Sequence, residues 1–341
     1  METKNTFYSQ KSKLSMKKIF WFAACCLLAT GFTACGDDDD ENNGGPGGTG
    51  NTLPDVTTDL GIQYPVTSIN GDEDAYFQYS NGKLTSGHTD TDINFNISQN
   101  PLAINCSYQE AYGSYAMTVN NIRVNNSGFI TSANINATED DNGEIYRVTG
   151  TANIQYDGEG HITEKKVEIK DVESTDKYTI TYSWNNGNLM RIRIDEQYTE
   201  PGYGTENYTE IYEYTYDEDW TKNPNTGIYL YEMWYSTFDF MWYAGLLGKT
   251  TRNMPTGMTN IYMEEGVENY RTTYDFTTSY NSDGSVASLT YRSPGSSYYS
   301  RRYIYGYGNE YENRTSTMAS IKQKNIDKRS PLARMKARMR K

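Results

Sequence analysis

The sequence predicts an all-β protein, an antiparallel meander curled into a barrel-like or half-barrel sheet, and three observations carry that expectation. Tyrosine, present 32 times beside 10 Phe and 5 Trp, gives bulk to a chain whose hydrophobic fraction is only 36%. Long stretches alternate aromatic and polar residues on period 2, the repeat that sends them to opposite faces of an extended strand. Glycine-centred turns recur between those stretches. At 341 residues the chain can bury a real core, as one large domain or two. Mean hydropathy is low, −0.79, yet disordered chains lack aromatics, so disorder throughout is excluded.

The front of the chain is an address. Met16-Lys17-Lys18 precedes the apolar run "IFWFAACCLLATGFTA", which has the charge, hydrophobic stretch and small residues of a secretory signal. The run is too short for a spanning helix, which needs about 20 apolar residues. Residues 1–34 are therefore assigned to a signal peptide whose start is Met16. Thr33-Ala34-Cys35 resembles a bacterial lipoprotein site, in which a small residue precedes a cysteine that is acylated and becomes the mature N-terminus. Phe32 departs from the usual Leu, although Leu27-Leu28 stands close by. Asp37 to Asp40 resembles the acidic export signal of Bacteroidetes surface lipoproteins. With the Gly-rich stretch that follows, residues 35–58 read as a hydrated, flexible tether, and a globular domain is expected over 59–321. Cys25 and Cys26 fall in the signal and Cys35 in the anchor, so Cys106 is left without an internal disulfide partner and reads as a small buried residue.

Five segments share one turn pattern: "YSNGKL" ending at Leu84, "NNSGFI" at Ile130, "DGEGHI" at Ile162, "WNNGNL" at Leu189 and "NSDGSV" at Val286. Each is Gly, any residue, then an aliphatic, as expected of a hairpin tip that needs positive φ. Period-2 strands flank them: Tyr178, Ile180, Tyr182 and Trp184 before one tip, Tyr270 to Tyr280 before another, and Tyr303, Tyr305 and Tyr307 near the end. "EIYEYTY" places Tyr212, Tyr214 and Tyr216 on one face. That face is expected to be the concave or packed side of the curled sheet, its hydroxyls reaching water or an acidic lining, or else a sugar-stacking platform. Such a meander must curl or close, because a long flat edge would pair with other chains. "STFDFMWYAGLLGKTTRNMP" breaks the strand pattern. Phe238, Trp242 and Leu246 fall four apart, which predicts a short helix near 238–247 that Gly248 stops and that caps one end of the sheet.

The run "YAGLLGKTTRNMP", the lipoprotein-like front and the hairpins at Tyr79 to Leu84 and Tyr156 to Ile162 together resemble a Bacteroidetes lipoprotein domain of unknown function with a porin-like fold, family 4595. The resemblance spans roughly Asp59 to Ile321. It implies an antiparallel sheet curled into a barrel-like shape, and it implies no activity. A bilayer-spanning barrel would carry an apolar outer band, whereas the alternate faces here hold Glu213, Asp217, Thr273 and Asp275. A domain tethered by lipid at the outer membrane, exposed at the cell surface, is the expectation.

No catalytic or metal-binding constellation emerges. His88 and His161 read as exposed turn residues, and neither Ser-His-Asp, Cys-His nor zinc-site spacing can be assembled. The acidic "TEDDNGE", 138–144, reads as a solvated turn, with Thr138 where a calcium loop needs its first Asp. No cofactor is implied. Two function classes follow: a noncatalytic envelope lipoprotein, scaffold or binder of a glycan or envelope protein through Tyr212, Tyr214, Trp184, Trp234 and Trp242, or a polysaccharide-active enzyme using paired carboxylates. The net charge of −13 argues against nucleic acid. The segment Lys322–Lys341 is the exception, with nine Lys or Arg against one Asp, and is expected to be a solvated tail or to lie against anionic lipid or polysaccharide.

Overall fold

Sixteen strands follow one another as an unbroken antiparallel meander: β1 (Val66–Asn70), β2 (Ala75–Ser80), β3 (Lys83–Thr89), β4 (Ile93–Gln99), β5 (Leu102–Glu110), β6 (Gly113–Val124), β7 (Ile130–Asp141), β8 (Glu144–Tyr156), β9 (Ile162–Lys170), β10 (Thr175–Asn185), β11 (Asn188–Glu200), β12 (Gly204–Thr215), β13 (Gly257–Glu264), β14 (Val267–Tyr280), β15 (Val286–Arg292) and β16 (Ser300–Tyr307). β1 pairs with β16, from Val66 opposite Tyr307 to Asn70 opposite Ile304, and the sheet is a closed barrel. Closure removes the edges that an open meander of this length would expose. The structure is a computed structural model and describes residues 53–307, apart from 58, 72–73, 90–92, 111–112, 142, 173, 218–239 and 295–299. The signal, Cys35, Trp234 and the basic tail lie outside the described residues.

All five glycine tips close hairpins, with φ between 71° and 90° at Gly82, Gly128, Gly160, Gly187 and Gly284. They join even strands to odd ones, so they share one end of the barrel. A shift of register just before four of the tips turns an aromatic inward opposite the aliphatic that follows the glycine: Tyr79 with Leu84, Tyr156 with Ile162, Trp184 with Leu189, Tyr280 with Val286. The aliphatics are buried. Aromatic against aliphatic across a strand pair is a favourable packing unit, which explains why the tip pattern repeats.

The same end carries a second regularity. The ladder between β7 and β8 stops at Ser132–Asn153, that between β9 and β10 at Glu164–Thr181, that between β11 and β12 at Arg191–Glu213, and that between β15 and β16 at Ser288–Ile304. Beyond each stop, the carbonyl of the inward aliphatic loses its strand partner. An aromatic donor at or just past the end of the next strand supplies the bond: Tyr156 Oη to Ile130 O at 2.8 Å, Trp184 Nε1 to Ile162 O at 2.7 Å, Tyr216 Oη to Leu189 O at 2.7 Å and Tyr307 Oη to Val286 O at 2.8 Å. A buried carbonyl left bare is costly, so these donors keep the strand ends closed against one another.

The barrel end is filled as well as pinned. The predicted helix is a single turn, α1 (Phe240–Tyr243), and all four of its residues are buried, as are Ala244, Leu246 and Leu247. It is shorter than the expected 238–247, of which 238–239 lie outside the described residues. Gly245, at φ 71°, turns the chain out of α1 before Gly248 is reached. A Cβ there would meet Leu60 Cδ1 at 2.4 Å. Phe240 stacks on Phe95 at 4.1 Å between centroids and Tyr243 on Phe77 at 4.8 Å, while the Lys165 ammonium sits 5.5 Å from the rings of both Trp242 and Tyr182. The turn thus contacts β2, β4 and β9, and its buried residues fill this end of the barrel. Leu53 and Val56, assigned by sequence to the tether, are buried, and Val56 N donates to Gly82 O at 2.9 Å. The packed body therefore begins before Asp59. Lys249 N and Arg252 N donate to the tip carbonyls of Gly160 and Gly187 at 2.9 and 2.8 Å, so the stretch after α1 is laced over the same end.

Tyr156→Phe and Tyr216→Phe keep the rings and remove only the donors. Each is expected to cost about 1–2 kcal/mol, measured as a lower urea midpoint at unchanged slope. Unaltered midpoints in both would show that the aromatic-to-carbonyl bonds are dispensable.

Candidate functional site

The inward face changes chemistry from one end of the barrel to the other. On β12 it runs Tyr214 and Tyr212, both buried, then Glu210 and Tyr208, partly exposed, then Glu206, exposed. On β11 it runs Ile192, Ile194, Glu196, Tyr198, Glu200, and on β13 Met258, Asn260, Tyr262, Glu264. The closed end is thus apolar and phenolic, and the opposite end is a mouth lined by tyrosines and carboxyl groups.

The register explains how so many acids coexist on one wall. Directly opposite pairs join a phenol to a carboxyl: Tyr178 with Glu196, Asp176 with Tyr198, Glu196 with Tyr208, Tyr198 with Glu206, Tyr208 with Glu264 and Glu210 with Tyr262. Like charges directly opposite one another destabilise a sheet, and a hydroxyl in the intervening position donates instead. Tyr178 Oη donates to Glu196 at 3.3 Å, Tyr198 Oη to Glu200 at 3.4 Å, and Tyr208 Oη to Glu206. The rings pay back electrostatically: burial, then the neighbouring carboxyls of Glu264, Glu196, Glu210 and Glu206, push the Tyr262 hydroxyl up to about 12. Burial likewise raises Tyr198 to about 12.

Glu210 sits lowest in this lining. Asn260 Nδ2 donates to its Oε1 at 2.8 Å, and Tyr270 Oη donates to Asn260 Oδ1 at 2.6 Å, which fixes the amide between them. Burial raises the Glu210 carboxyl above the ordinary range, and the hydroxyl of Tyr212 and the amide of Asn260 offset only part of that shift. Tyr212 therefore links two zones, with its ring in the core and its hydroxyl toward the lining.

The residues singled out by sequence fall elsewhere. Tyr212 at 0% exposure, Tyr214 at 3% and Trp242 at 3% belong to the core, so none presents a free ring face. Trp184 packs against that core at the closed end, stacked on His161 at 4.4 Å. Trp234 lies outside the described residues. The expectation of exposed histidines fails. His161 is buried, with Nδ1 3.1 Å from Asp157 Oδ2, and His88 lies within β3, stacked on Tyr76 at 5.0 Å. Cys106 is buried. The turn in 138–144 is held by Gly143 N donating to Asp140 Oδ1 at 2.7 Å. Among the described residues, no group of three His, Cys, Asp or Glu side chains is placed to hold a metal ion. The mouth residues carried a signal that passed unused: "ENYTEIYEY" alternates Glu206, Tyr208, Glu210, Tyr212 and Tyr214 on one face.

The outward face is charged. β9 presents Glu164, Lys166, Glu168 and Lys170 with ion pairs along the strand, and β11 presents Arg193 and Asp195, bonded at 2.7 Å. Among the described residues, large exposed apolar side chains do not form a band around the wall. A bilayer-spanning barrel has the opposite arrangement, apolar outside and polar within.

No family model and no curated protein matches this chain. Among solved structures, it is similar to a porin-like protein from Bacteroides vulgatus ATCC 8482, at 13% identity and a TM-score of 0.48, over 72% of this chain and 99% of that one. A porin-like protein from Bacteroides uniformis ATCC 8492 is similar at 14% identity and a TM-score of 0.23, over 60% of this chain and 95% of that one. Likeness at this level carries no argument about function.

The raised Glu210 carboxyl has a consequence for stability. A carboxyl whose folded pKa lies above its unfolded value of about 4.5 contributes fully below that value, and the contribution is lost as pH rises through the folded pKa. The wild type is therefore expected to lose stability relative to Glu210→Gln as pH rises above about 4.5, as measured by denaturant midpoints. Parallel pH profiles would contradict it.

Proposed function

We propose that this is a lipid-anchored, noncatalytic envelope protein, a blind barrel rather than a channel, which presents its acidic, tyrosine-lined mouth as a binding surface. The observation that carries it is the polarity of the wall: an apolar, plugged interior under a charged exterior suits a body in water, not one dissolved in lipid. The anchor is Cys35, in keeping with the resemblance to the family 4595 lipoprotein domains, and the location is the outer membrane, facing outward. Leu53 packs at the closed end, so a tether from Cys35 reaches the body there and leaves the mouth pointing away from the bilayer. Two acyl chains or more give the stable attachment that the strands cannot.

The ligand class that suits the mouth is a neutral or cationic glycan. Phenol rings pack on the C–H faces of a sugar, and carboxylates accept from its hydroxyls, whereas an acidic glycan is repelled. Nothing in the lining requires bond breaking. The enzyme alternative would need two carboxyls facing one bond, for which Glu196 and Glu210, diagonal neighbours across β11 and β12, are the pair at hand.

Three measurements test this. Metabolic labelling with a palmitate analogue is expected to mark the wild type and to spare Cys35→Ala. Added to a planar lipid bilayer, the purified protein is expected to give no stepwise conductance; reproducible channel openings would overturn the blind-barrel assignment. On a glycan array, binding by the wild type and its loss in Tyr208→Ala and Tyr262→Ala would locate the ligand in the mouth.

A further inference from the structure

The mouth has a rim with a different character from its lining. Among the described residues, the large apolar side chains left in water gather there: Ile145 at 55% exposure beside the β7–β8 turn, Val172 at 97% between β9 and β10, Tyr203 at 76% between β11 and β12, and Val267 at 64% beside the β13–β14 turn, with Tyr270 next to it. Four successive hairpins at the open end thus each hold out one apolar group. The remaining large exposed apolar residue, Ile304, lies on the wall. Scattered apolar residues need no explanation, but a partial crown of them, on four of the eight hairpins at this end and beside a charged opening, is the composition of a docking surface.

The lining inside that crown is acidic, with Asp176, Glu196, Glu200, Glu206, Glu210 and Glu264 on β10 to β13. An occupant must therefore bring positive charge to the lining and apolar groups to the rim. One segment of the chain itself has both. Lys322–Lys341 holds nine Lys or Arg against Asp327 alone, interspersed with Ile326, Leu332, Met335 and Met339. Its reach is sufficient. The last strand ends at Tyr307 at the closed end, and the intervening residues 308–321 span up to about 45 Å when extended. A wall strand of the length of β11 runs about 43 Å along its own axis and less along the barrel, because barrel strands tilt.

We propose that the mouth is the docking surface for the chain's own basic segment Lys322–Lys341, which returns over the rim and occupies the opening as an intramolecular competitor of any external ligand. The proposal rests on the mouth being a binding surface, but not on the anchor or on the ligand being a glycan. Opposite charge sets the attraction and makes it sensitive to salt. The apolar crown supplies contact area that a free cation would not use.

Zero-length carbodiimide coupling of the full chain, read by mass spectrometry, tests it by joining carboxylates to adjacent lysines. Links are expected from Glu200, Glu206 or Glu264 to Lys322, Lys324, Lys328, Lys336 or Lys341. They are expected to fall severalfold at about 0.5 M salt, where the screening length drops to a few Å, and to vanish in the combined variant Arg334→Glu, Lys336→Glu, Arg338→Glu, Arg340→Glu. That variant leaves the barrel untouched, so its circular dichroism should match the wild type. Tail links distributed equally to the outward Glu164, Glu168 and Glu213 would overturn the proposal. So would links found only between isotopically distinct copies, or tail lysines protected only when anionic vesicles are added. Loss of glycan binding with these links intact would remove the ligand assignment and leave the docking in place.

Discussion

A closed sheet of sixteen strands encloses more space than the inward side chains of its wall can fill, and the rest of this structure is a response to that fact. Eight strands make a lumen that side chains alone close, while sixteen leave room for water. Here the closed end of the lumen is filled by what the wall carries and what the chain inserts. Tyrosine is the largest side chain that can be packed by the dozen without leaving its polar atom stranded, and α1 adds Phe240, Met241, Trp242 and Tyr243 on the axis. The apolar filling makes the interior a core. With the apolar side chains collected inside, the outward positions of β9 and β11 carry Lys, Arg, Glu and Asp.

Filling the lumen creates a polar problem at its ends, which the two ends solve differently. At the closed end the hairpins tighten through register shifts that leave carbonyls beyond the reach of the ladders, and aromatic donors from the next strand take them. The donors are the same rings that fill the lumen, so packing and hydrogen bonding are satisfied by one residue type. At the open end the wall continues past the filling, and its inward residues meet water. There phenols alternate with carboxyls, which spaces the negative charges by one strand and gives each a nearby hydroxyl. Tyr212 stands at the boundary opposite the buried Asn260, whose amide Glu210 and Tyr270 bond from the mouth side.

This division is the basis of the proposed binding role of one end. The closed end receives the N-terminal stretch, the last strand and the lacing after α1. The mouth faces the other way, with a charged interior and an apolar crown. Binding at such a place needs no movement of the wall, and a competitor need only be tethered, because a tether raises its local concentration without any new contact.

The period-2 aromatic pattern and the Gly-x-aliphatic tips were enough to determine antiparallel hairpins of sheet character, since both are local: strand geometry alternates faces within a few residues, and a tight turn needs its glycine wherever it occurs. The hairpin tips ending at Leu84, Ile130, Ile162, Leu189 and Val286 could be located on that basis. What no local pattern could decide was which aromatic faces would meet a filled lumen and which would meet water. Tyr212 and Tyr208 lie on the same face of the same strand, two residues being four apart, and differ only in height above α1, a segment some thirty positions later in the chain. His161 looked like a turn residue because it is one, and is buried because Trp184 of a neighbouring hairpin stacks on it. Closure itself, β1 on β16, joins the two ends of the meander across some 240 residues. Distances of that kind are set by the whole sheet, so the mouth emerged only when all sixteen strands were in register.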